Sequence, residues 1–427
     1  MKILESSNAN FKVEFDKLIN RSNLDVDSVT PSVMSIIKDV KQRGDIALKE
    51  QISKFDHWDA KEGFLISKEE MKKAYDRCDK KLLDAINLAA SRIEAFHQKQ
   101  LEKSWIEFES NGNILGQKIT PLSSAGLYVP GGKAAYPSSL LMNYIPAKVA
   151  GVKEITVCTP AVNGEINSLL LAALHLLGVK KAYKVGGASA IAAMAYGTKT
   201  ISKVDVITGP GNIFVATAKK LVFGDVNIDM IAGPSEIGIL ADSSMDPKIT
   251  AIDLLSQAEH DEMASSFLIT DDKTFANSVK EMIYKELETL KREPIARKSI
   301  ENRGAIVVAK DKFEAIELMN KLAVEHLEIC FDDAMSYLPL IKNAGAIFLG
   351  KNTPEAMGDY VAGPNHTLPT GGSAKFFSPL GVYNFIKRSS IIHISDRGFD
   401  ELSAACMSLA DIEGLEAHKL SVKKRKK

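Results

Sequence analysis

Four of the eight histidines lie among polar or small residues, and these are the first candidates for chemistry: His260, His326, His366 and His418. Gln257 precedes His260 by three residues, so both side chains fall on one face of a predicted helix and can present two ligands to one ion. An exposed polar helix face has the same spacing. The pair by itself therefore leaves both interpretations open.

Asp359 and His366 lie in a glycine- and proline-rich loop, residues 358–366. Such loops carry function more often than packing. Glu413 and His418 lie on either side of Gly414, near the end of the chain. A ligand set of Gln, His and Asp contains no thiolate, which suits zinc or a similar divalent ion. A single carboxylate would leave that ion positively charged and able to hold a neutral donor.

The dipeptide Glu325-His326 ends a helix that is predicted over residues 312–327. Two adjacent acid–base groups can serve two proton transfers, because histidine titrates near neutrality and burial raises the pKa of a glutamate. A solvated surface pair is the competing interpretation. Cys158 lies in an apolar strand without a neighbouring charge, which favours a buried, inert thiol over a nucleophile.

The elements that must position these residues change in character near Ala125. Up to about Ile119 the chain is predicted to be mostly helical. Over residues 126–223 short apolar runs alternate with helices, which predicts βαβ units and a parallel sheet with ligand loops at the glycine-rich strand ends. Residues 209–212 of this stretch can open a helix N-terminus toward a phosphate. A second α/β stretch covers residues 247–349, and a smaller helical appendage is predicted after Phe376.

Composition excludes several classes of protein. The chain has 427 residues, with 54 basic and 54 acidic side chains and no formal net charge, which argues against a nucleic-acid or anionic-membrane partner. The apolar runs are shorter than a membrane span, and residues 1–20 have no signal-peptide core. The four cysteines are scattered, as in a reduced cytoplasmic protein.

Eight segments resemble motifs of the histidinol dehydrogenase family, in order and over nearly the whole chain: residues 126–132, 136–139, 209–212, 232–236, 257–260, 325–328, 363–366 and 413–418. The resemblance implies oxidation of L-histidinol to L-histidine, the final steps of histidine biosynthesis. It implies two NAD-dependent hydride transfers through bound L-histidinaldehyde, with one zinc ion per subunit orienting the substrate. Holding the aldehyde in place protects a reactive intermediate.

The same resemblance implies roles for individual residues. The implied zinc ligands are Gln257, His260, Asp359 and His418. His326 matches the base that takes the alcohol proton, and Glu325 matches the base that activates water for the second oxidation. The implied substrate contacts are Ser235, Gln257, His260, His326, Asp359, His366, Glu413 and His418. Tyr128 and Asn212 match contacts to NAD.

The implied fold is α/β, with two Rossmann-like parallel-sheet modules and small helical N- and C-terminal appendages. The predicted divisions are an arm (1–24), a first α/β domain with the zinc and catalytic residues (25–125 and 237–375), an inserted NAD-binding domain (126–236) and a dimerisation segment (376–427). That last segment is expected to be swapped in a homodimer, so that Glu413 and His418 complete the partner's site.

One position departs from the family pattern. The family has Gly-Gly-Ala-Gln after the third strand of the inserted domain, and this chain has Ser189 in place of the Gln. A shorter side chain there weakens an expected NAD contact. Two other interpretations stay open at this point: a zinc-dependent dehydrogenase of another amino alcohol, and a non-catalytic zinc-binding homologue.

Overall fold

The computed structural model describes residues 1–21, 26–131 and 137–426, and their contacts divide the chain into two units. Unit 1 comprises Met1–Gln100 and Ser123–Phe385, and unit 2 comprises Leu101–Leu122 and Ile386–Lys427. Gly132 and Tyr136 of the family-like segments lie outside the described residues, as does the predicted arm boundary at residues 24–25. The predicted domain limits stay predictions.

Strands and helices alternate along most of the chain. The strands are β1 Lys2–Glu5, β2 Trp105–Phe108, β3 Ile114–Pro121, β4 Ser124–Tyr128, β5 Glu154–Thr159, β6 Lys181–Lys184, β7 Val206–Thr208, β8 Asn227–Ile228, β9 Glu236–Leu240, β10 Ser265–Thr270, β11 Ala305–Val308, β12 His326–Ile329, β13 Ala346–Leu349 and β14 Ile386–His393. The α-helices are α1 Phe11–Ile19, α2 Val26–Arg43, α3 Asp45–Phe55, α4 Lys68–Arg77, α5 Lys80–Gln98, α6 Pro137–Ala150, α7 Ser168–Leu176, α8 Gly187–Tyr196, α9 Ile213–Val222, α10 Pro247–Ala258, α11 Lys273–Leu287, α12 Glu293–Arg303, α13 Lys312–Leu322, α14 Ala334–Tyr337, α15 Glu355–Tyr360, α16 Asp396–Ile412 and α17 Glu416–Lys423. Within the described part of the chain, none of these helices has the length and apolar character needed to cross a bilayer.

Two parallel sheets organise unit 1. The larger has the strand order β1-β11-β10-β9-β12-β13, and the smaller has the order β6-β5-β4-β7-β8. The central strands β9 and β10 are buried along their whole length, as expected for strands that are covered on both faces. The predicted α/β fold with parallel sheets is confirmed, and the swap of the C-terminal segment stays a prediction.

Side chains that alternate along one strand reach two different cores of unit 1. On β10, Leu268 packs with Leu254 of α10 and Val279 of α11, whereas Phe267 packs on the other face with Met319 of α13. This alternation is the period of two that a pleated strand imposes. Each face of the larger sheet is thereby sealed by helices, which removes water from the groups near its middle strands.

Unit 2 is an antiparallel sheet with the order β14-β3-β2, together with α16 and α17. The prediction of a mostly helical chain up to about Ile119 misses the strands β2 and β3, and the predicted helical appendage after Phe376 also contains the strand β14. For β3 and β14 the physical reason is pairing at long range. Ile386 lies opposite Pro121 and His393 opposite Ile114, so the strands form only when distant parts of the chain meet.

The segment that carries Glu325 and His326 also differs from its prediction. Helix α13 ends at Leu322, and Ala323 adopts a left-handed conformation with φ of 48°. β12 then begins at His326, and all four of its residues are buried between β9 and β13. Burial on both faces of the sheet outweighs the helical periodicity, so the dipeptide opens a central strand instead of ending a helix.

Candidate active site

The backbone of Glu236 contacts both Glu325 and His326. Strands β9 and β12 are parallel neighbours, with His326 opposite Ile237. The backbone N–H of Glu236 donates to Glu325 Oε2 over 2.8 Å, and the carbonyl oxygen of Glu236 lies 3.0 Å from His326 Nδ1. The predicted acid–base pair is therefore buried at the amino ends of two central strands. The surface interpretation of the pair is wrong.

Glu325 has the properties of a general base near neutral pH. Burial, with a smaller contribution from the nearby carboxylates of Glu236 and Asp359, raises the pKa of its carboxyl to about 8. His326 acts in the opposite direction but does not cancel the effect. A carboxylate whose pKa lies near the ambient pH can take up and release a proton efficiently.

The two ring nitrogens of His326 face different partners. Nδ1 faces the Glu236 carbonyl oxygen and the side-chain amide of Gln257, and Nε2 faces the Asp359 carboxylate. Gln257 Nε2 lies 2.9 Å from Nδ1, and Asp359 Oδ1 lies 3.5 Å from Nε2. Burial alone disfavours the imidazolium, but the carboxylates of Glu325, Glu355 and Asp359 together raise the pKa of His326 well above its ordinary value. When Nδ1 donates to the Glu236 carbonyl, Nε2 is the nitrogen left to exchange a proton.

Three side chains of unit 1 converge as a candidate metal centre: one ligand atom each of His260, Glu355 and Asp359 lies within 4.8 Å of the others. Gln257 Oε1 is buried without a hydrogen-bond partner among the described residues, which is what a ligand oxygen needs before its ion is bound. This nitrogen- and oxygen-rich set fits a zinc ion. His326 lowers the pKa of Asp359 to about 2, against the effect of burial, so that carboxylate is ionised.

Glu355 was missed from the sequence, although a signal was available. It precedes Asp359 by four residues on α15, a spacing that puts two carboxylates on one helix face. Next to it lie two more carboxyls, that of Glu328, which is buried, and that of Asp253, which is half-buried. Glu328 Oε1 accepts from the Glu355 N–H over 2.8 Å, and Asp253 hydrogen-bonds to Glu328. Burial raises the pKa of Glu355 to about 7 and that of Asp253 to about 6.

The other predicted substrate residues fall into two groups. His366 is half-buried and lies close enough to Asp359 for their charges to interact, and partial burial lowers the pKa of its imidazole. Ser235 is half-buried and directly precedes β9. Glu413 and His418 belong to unit 2, where both are exposed, after α16 and within α17 respectively. Within unit 1, Gln257, His326 and Asp359 are joined by direct contacts, and Asp359 lies near His260 and His366.

The predicted NAD contacts line a cleft of about 1150 Å³ at the carboxyl ends of the smaller sheet's strands. Tyr128 ends β4, and its hydroxyl accepts from the N–H of Gly187, the first residue of α8. Asn212 caps α9, its Oδ1 accepting from two backbone N–H groups. Ser189 lies in the same wall. Helix N-termini at strand ends favour a phosphate group.

The glycine loop beside this cleft is held by a buried ion pair. Lys219 and Asp229 are in contact, with side chains that are 3% and 0% exposed. The Asp229 carboxylate accepts from the backbone N–H of Gly209 over 2.9 Å, and Lys219 donates to the backbone carbonyl oxygen of Gly209, also over 2.9 Å. Gly209 has φ of 117°, and a Cβ there would lie 2.0 Å from the Tyr128 carbonyl oxygen. Only glycine fits this turn.

Comparison with known proteins agrees with this geometry. The family model described as histidinol dehydrogenase matches residues 19–426. Histidinol dehydrogenase of Sulfurimonas denitrificans is 61% identical over 422 residues, 98% of each chain, and that of Wolinella succinogenes is 59% identical over 424 residues, 99% of this chain and 98% of the relative. The crystal structure of histidinol dehydrogenase from Elizabethkingia anophelis superposes with a TM-score of 0.94 at 35% identity, covering 100% of this chain and 98% of that one. The chain belongs to the histidinol dehydrogenase family.

Proposed function

We propose that this protein oxidises L-histidinol to L-histidine through bound L-histidinaldehyde, in two successive NAD-dependent steps. The observation that carries the proposal is the buried pair Glu325 and His326, placed beside the ligand cluster of His260 and Asp359. Two oxidations of one carbon require two separate proton acceptors, and this site supplies one nitrogen base and one carboxylate base.

The side chains of the site have distinct tasks. His326, when its imidazole is neutral, takes the proton of the substrate alcohol at Nε2, the ring nitrogen that faces Asp359 over 3.5 Å. Glu325 takes a proton from the water that adds to the aldehyde carbon, since burial places its pKa at about 8. Bound NAD supplies the hydride acceptor in each step. The low exposure of both bases excludes bulk water, which keeps the aldehyde from escaping.

Zinc would be held by Gln257, His260 and Asp359 of unit 1, with His418 contributed by the partner subunit. The unpartnered Oε1 of Gln257 supports this set, and Glu355 lies close enough to take part. A bound zinc ion would hold the imidazole and amino nitrogens of the substrate and so orient the alcohol carbon.

A homodimer with shared sites is part of the proposal. Within unit 2, large apolar side chains are exposed, among them Phe108 at 69%, Ile392 at 70% and Ile412 at 84%. Such exposure is unusual for a surface that faces only water. A second copy of the chain would cover these residues and would bring its Glu413 and His418 to the site of the first. A cytoplasmic location is likewise proposed.

The decisive experiment for the reaction is the stoichiometry of NADH formation on purified protein. We expect two NADH per histidinol, and loss of activity after metal chelation that zinc restores. Glu325→Gln should stop at one NADH and accumulate the aldehyde, whereas Glu317→Gln, which removes an exposed carboxylate from α13, should behave as wild type. Failure to form NADH from histidinol would refute the proposal. Activity on a different amino alcohol would then make that compound the substrate.

Shared sites can be tested by mixing two inactive variants. A mixed dimer of Glu325→Gln and His418→Ala has one doubly altered site and one intact site if the sites are shared. An equal mixture that is refolded or exchanged should recover about one quarter of the wild-type activity, because half of the randomly paired dimers are mixed. Absence of recovery, with dimers present by light scattering, would show that each site belongs to one chain.

A further inference from the structure

A buried ion pair connects the N-terminal part of unit 1 to the candidate active site. Arg21 follows α1, and its guanidinium makes two hydrogen bonds to the Glu236 carboxylate, Nε to Oε1 and Nη2 to Oε2, each 2.6 Å long. The two side chains are only 5% and 3% exposed. Arg21 also donates to the carbonyl oxygens of Leu18 and Leu322, over 3.1 and 3.0 Å. This bidentate geometry fixes the carboxylate in direction as well as position.

The residue held in this way contacts both proposed bases through its backbone. The Glu236 N–H donates to Glu325 Oε2 over 2.8 Å, and its carbonyl oxygen lies 3.0 Å from His326 Nδ1. Gln257 Nε2 also reaches the same carbonyl oxygen, over 3.3 Å. One residue therefore orients the carboxylate base, the imidazole base and a candidate metal ligand.

The geometry points to Arg21 as a positioning residue: by clamping the Glu236 side chain, it fixes the backbone that aims Glu325 and His326 at the substrate. The inference rests on the proposed function for the identity of the reaction. Glu236 is the first residue of β9. Without the ion pair to Arg21, this end of the strand would be free to shift. A displacement of about 1 Å in a catalytic group can cost on the order of a hundredfold in rate.

The primary test is Arg21→Met, which keeps an unbranched apolar side chain and removes the guanidinium with its hydrogen bonds. Phe15→Leu is the matched control, since Phe15 is buried in α1, packs in the core of unit 1 and has no polar side-chain atom that could hold the Glu236 carboxylate. We expect Arg21→Met to lower kcat per bound zinc about 10- to 100-fold for histidinol and for histidinaldehyde assayed separately, a larger effect than any change in the KM for histidinol. Arg21→Lys, which can keep one hydrogen bond, should fall between Arg21→Met and wild type.

A second variant covers the case in which Arg21→Met does not fold, because it leaves a buried carboxylate unpaired. The double variant Arg21→Met/Glu236→Gln removes both charges and should fold. We expect it also to lose kcat in both half-reactions. A normal kcat in either variant would overturn the inference. So would a Phe15→Leu variant that loses as much thermal stability as Arg21→Met and also loses as much kcat.

A readout that needs no turnover separates this inference from the proposed function. The Nδ1 proton of His326 should give a downfield NMR resonance, assigned by its absence in His326→Asn. It should move or disappear in Arg21→Met and stay in place in Phe15→Leu. If wild-type protein makes no NADH from histidinol, the proposed function fails, and this resonance alone decides the positioning role: an unchanged resonance in Arg21→Met refutes it.

Discussion

Replacing Glu325 with glutamine should change how the stability of the protein depends on pH. Glu325 is 6% exposed, and its Oε2 accepts from the Glu236 N–H. A glutamine keeps the shape of the side chain and can still accept that hydrogen bond through its amide oxygen. The substitution therefore acts as a permanently neutral Glu325 and isolates the effect of its charge.

The magnitude follows from the pKa. Burial raises the pKa of Glu325 from 4.5 to about 8, so the folded protein binds this proton more tightly than the unfolded chain does. The stabilisation from the neutral carboxyl is complete below pH 4.5 and is lost as the pH rises through about 8. A difference of about 3.5 in pKa, at 1.36 kcal/mol for each factor of ten, amounts to about 5 kcal/mol.

Urea unfolding from pH 4.5 to pH 9, with EDTA present so that metal is not a variable, measures this effect. Glu325→Gln should match wild type at the acidic end and exceed its free energy of unfolding by up to about 5 kcal/mol at pH 9. The exposed control Glu317→Gln should show no such divergence. Parallel curves for wild type and Glu325→Gln would mean that Glu325 is ionised in the fold throughout, and the reasoning would fail.

Three further predictions concern the cofactor side of unit 1. Gly209→Ala places a Cβ against a β4 carbonyl oxygen and should raise the KM for NAD at least tenfold; Gly224→Ala, at φ of 105° with open space around it, is the kinetic control and should leave that KM unchanged. Lys219→Met leaves the buried Asp229 carboxylate unpaired and should lower the free energy of unfolding by about 3–5 kcal/mol in urea titrations. Ser189→Gln lengthens a side chain in the cleft wall and should lower the KM for NAD severalfold, and an unchanged or higher KM would contradict a contact there.

Local patterns predicted the parts of the fold that depend on neighbours in sequence. Short apolar runs between helices predicted the parallel sheet of residues 124–228, because each βαβ unit is closed by residues close in the chain. The predicted helix put Gln257 and His260 on one face, whereas α10 ends at Ala258 and His260 lies beyond its end. The same reasoning failed for residues 114–121 and 386–393, which pair with each other across more than 260 residues. It also extended α13 too far, since nothing local marks Ala323 as a left-handed helix end.

The same distinction between local and long-range information applies to the candidate site. The sequence by itself determined which side chains are available and in what order, since residue types such as Glu325-His326 and Gln257 with His260 are local facts. Only the tertiary structure decided that Glu236 holds both bases, that Arg21 holds Glu236, and that no part of the pair is solvated. The reason is physical: these hydrogen bonds depend on the register of β9 with β12, and the raised pKa of Glu325 depends on helices that exclude water from both faces of the sheet.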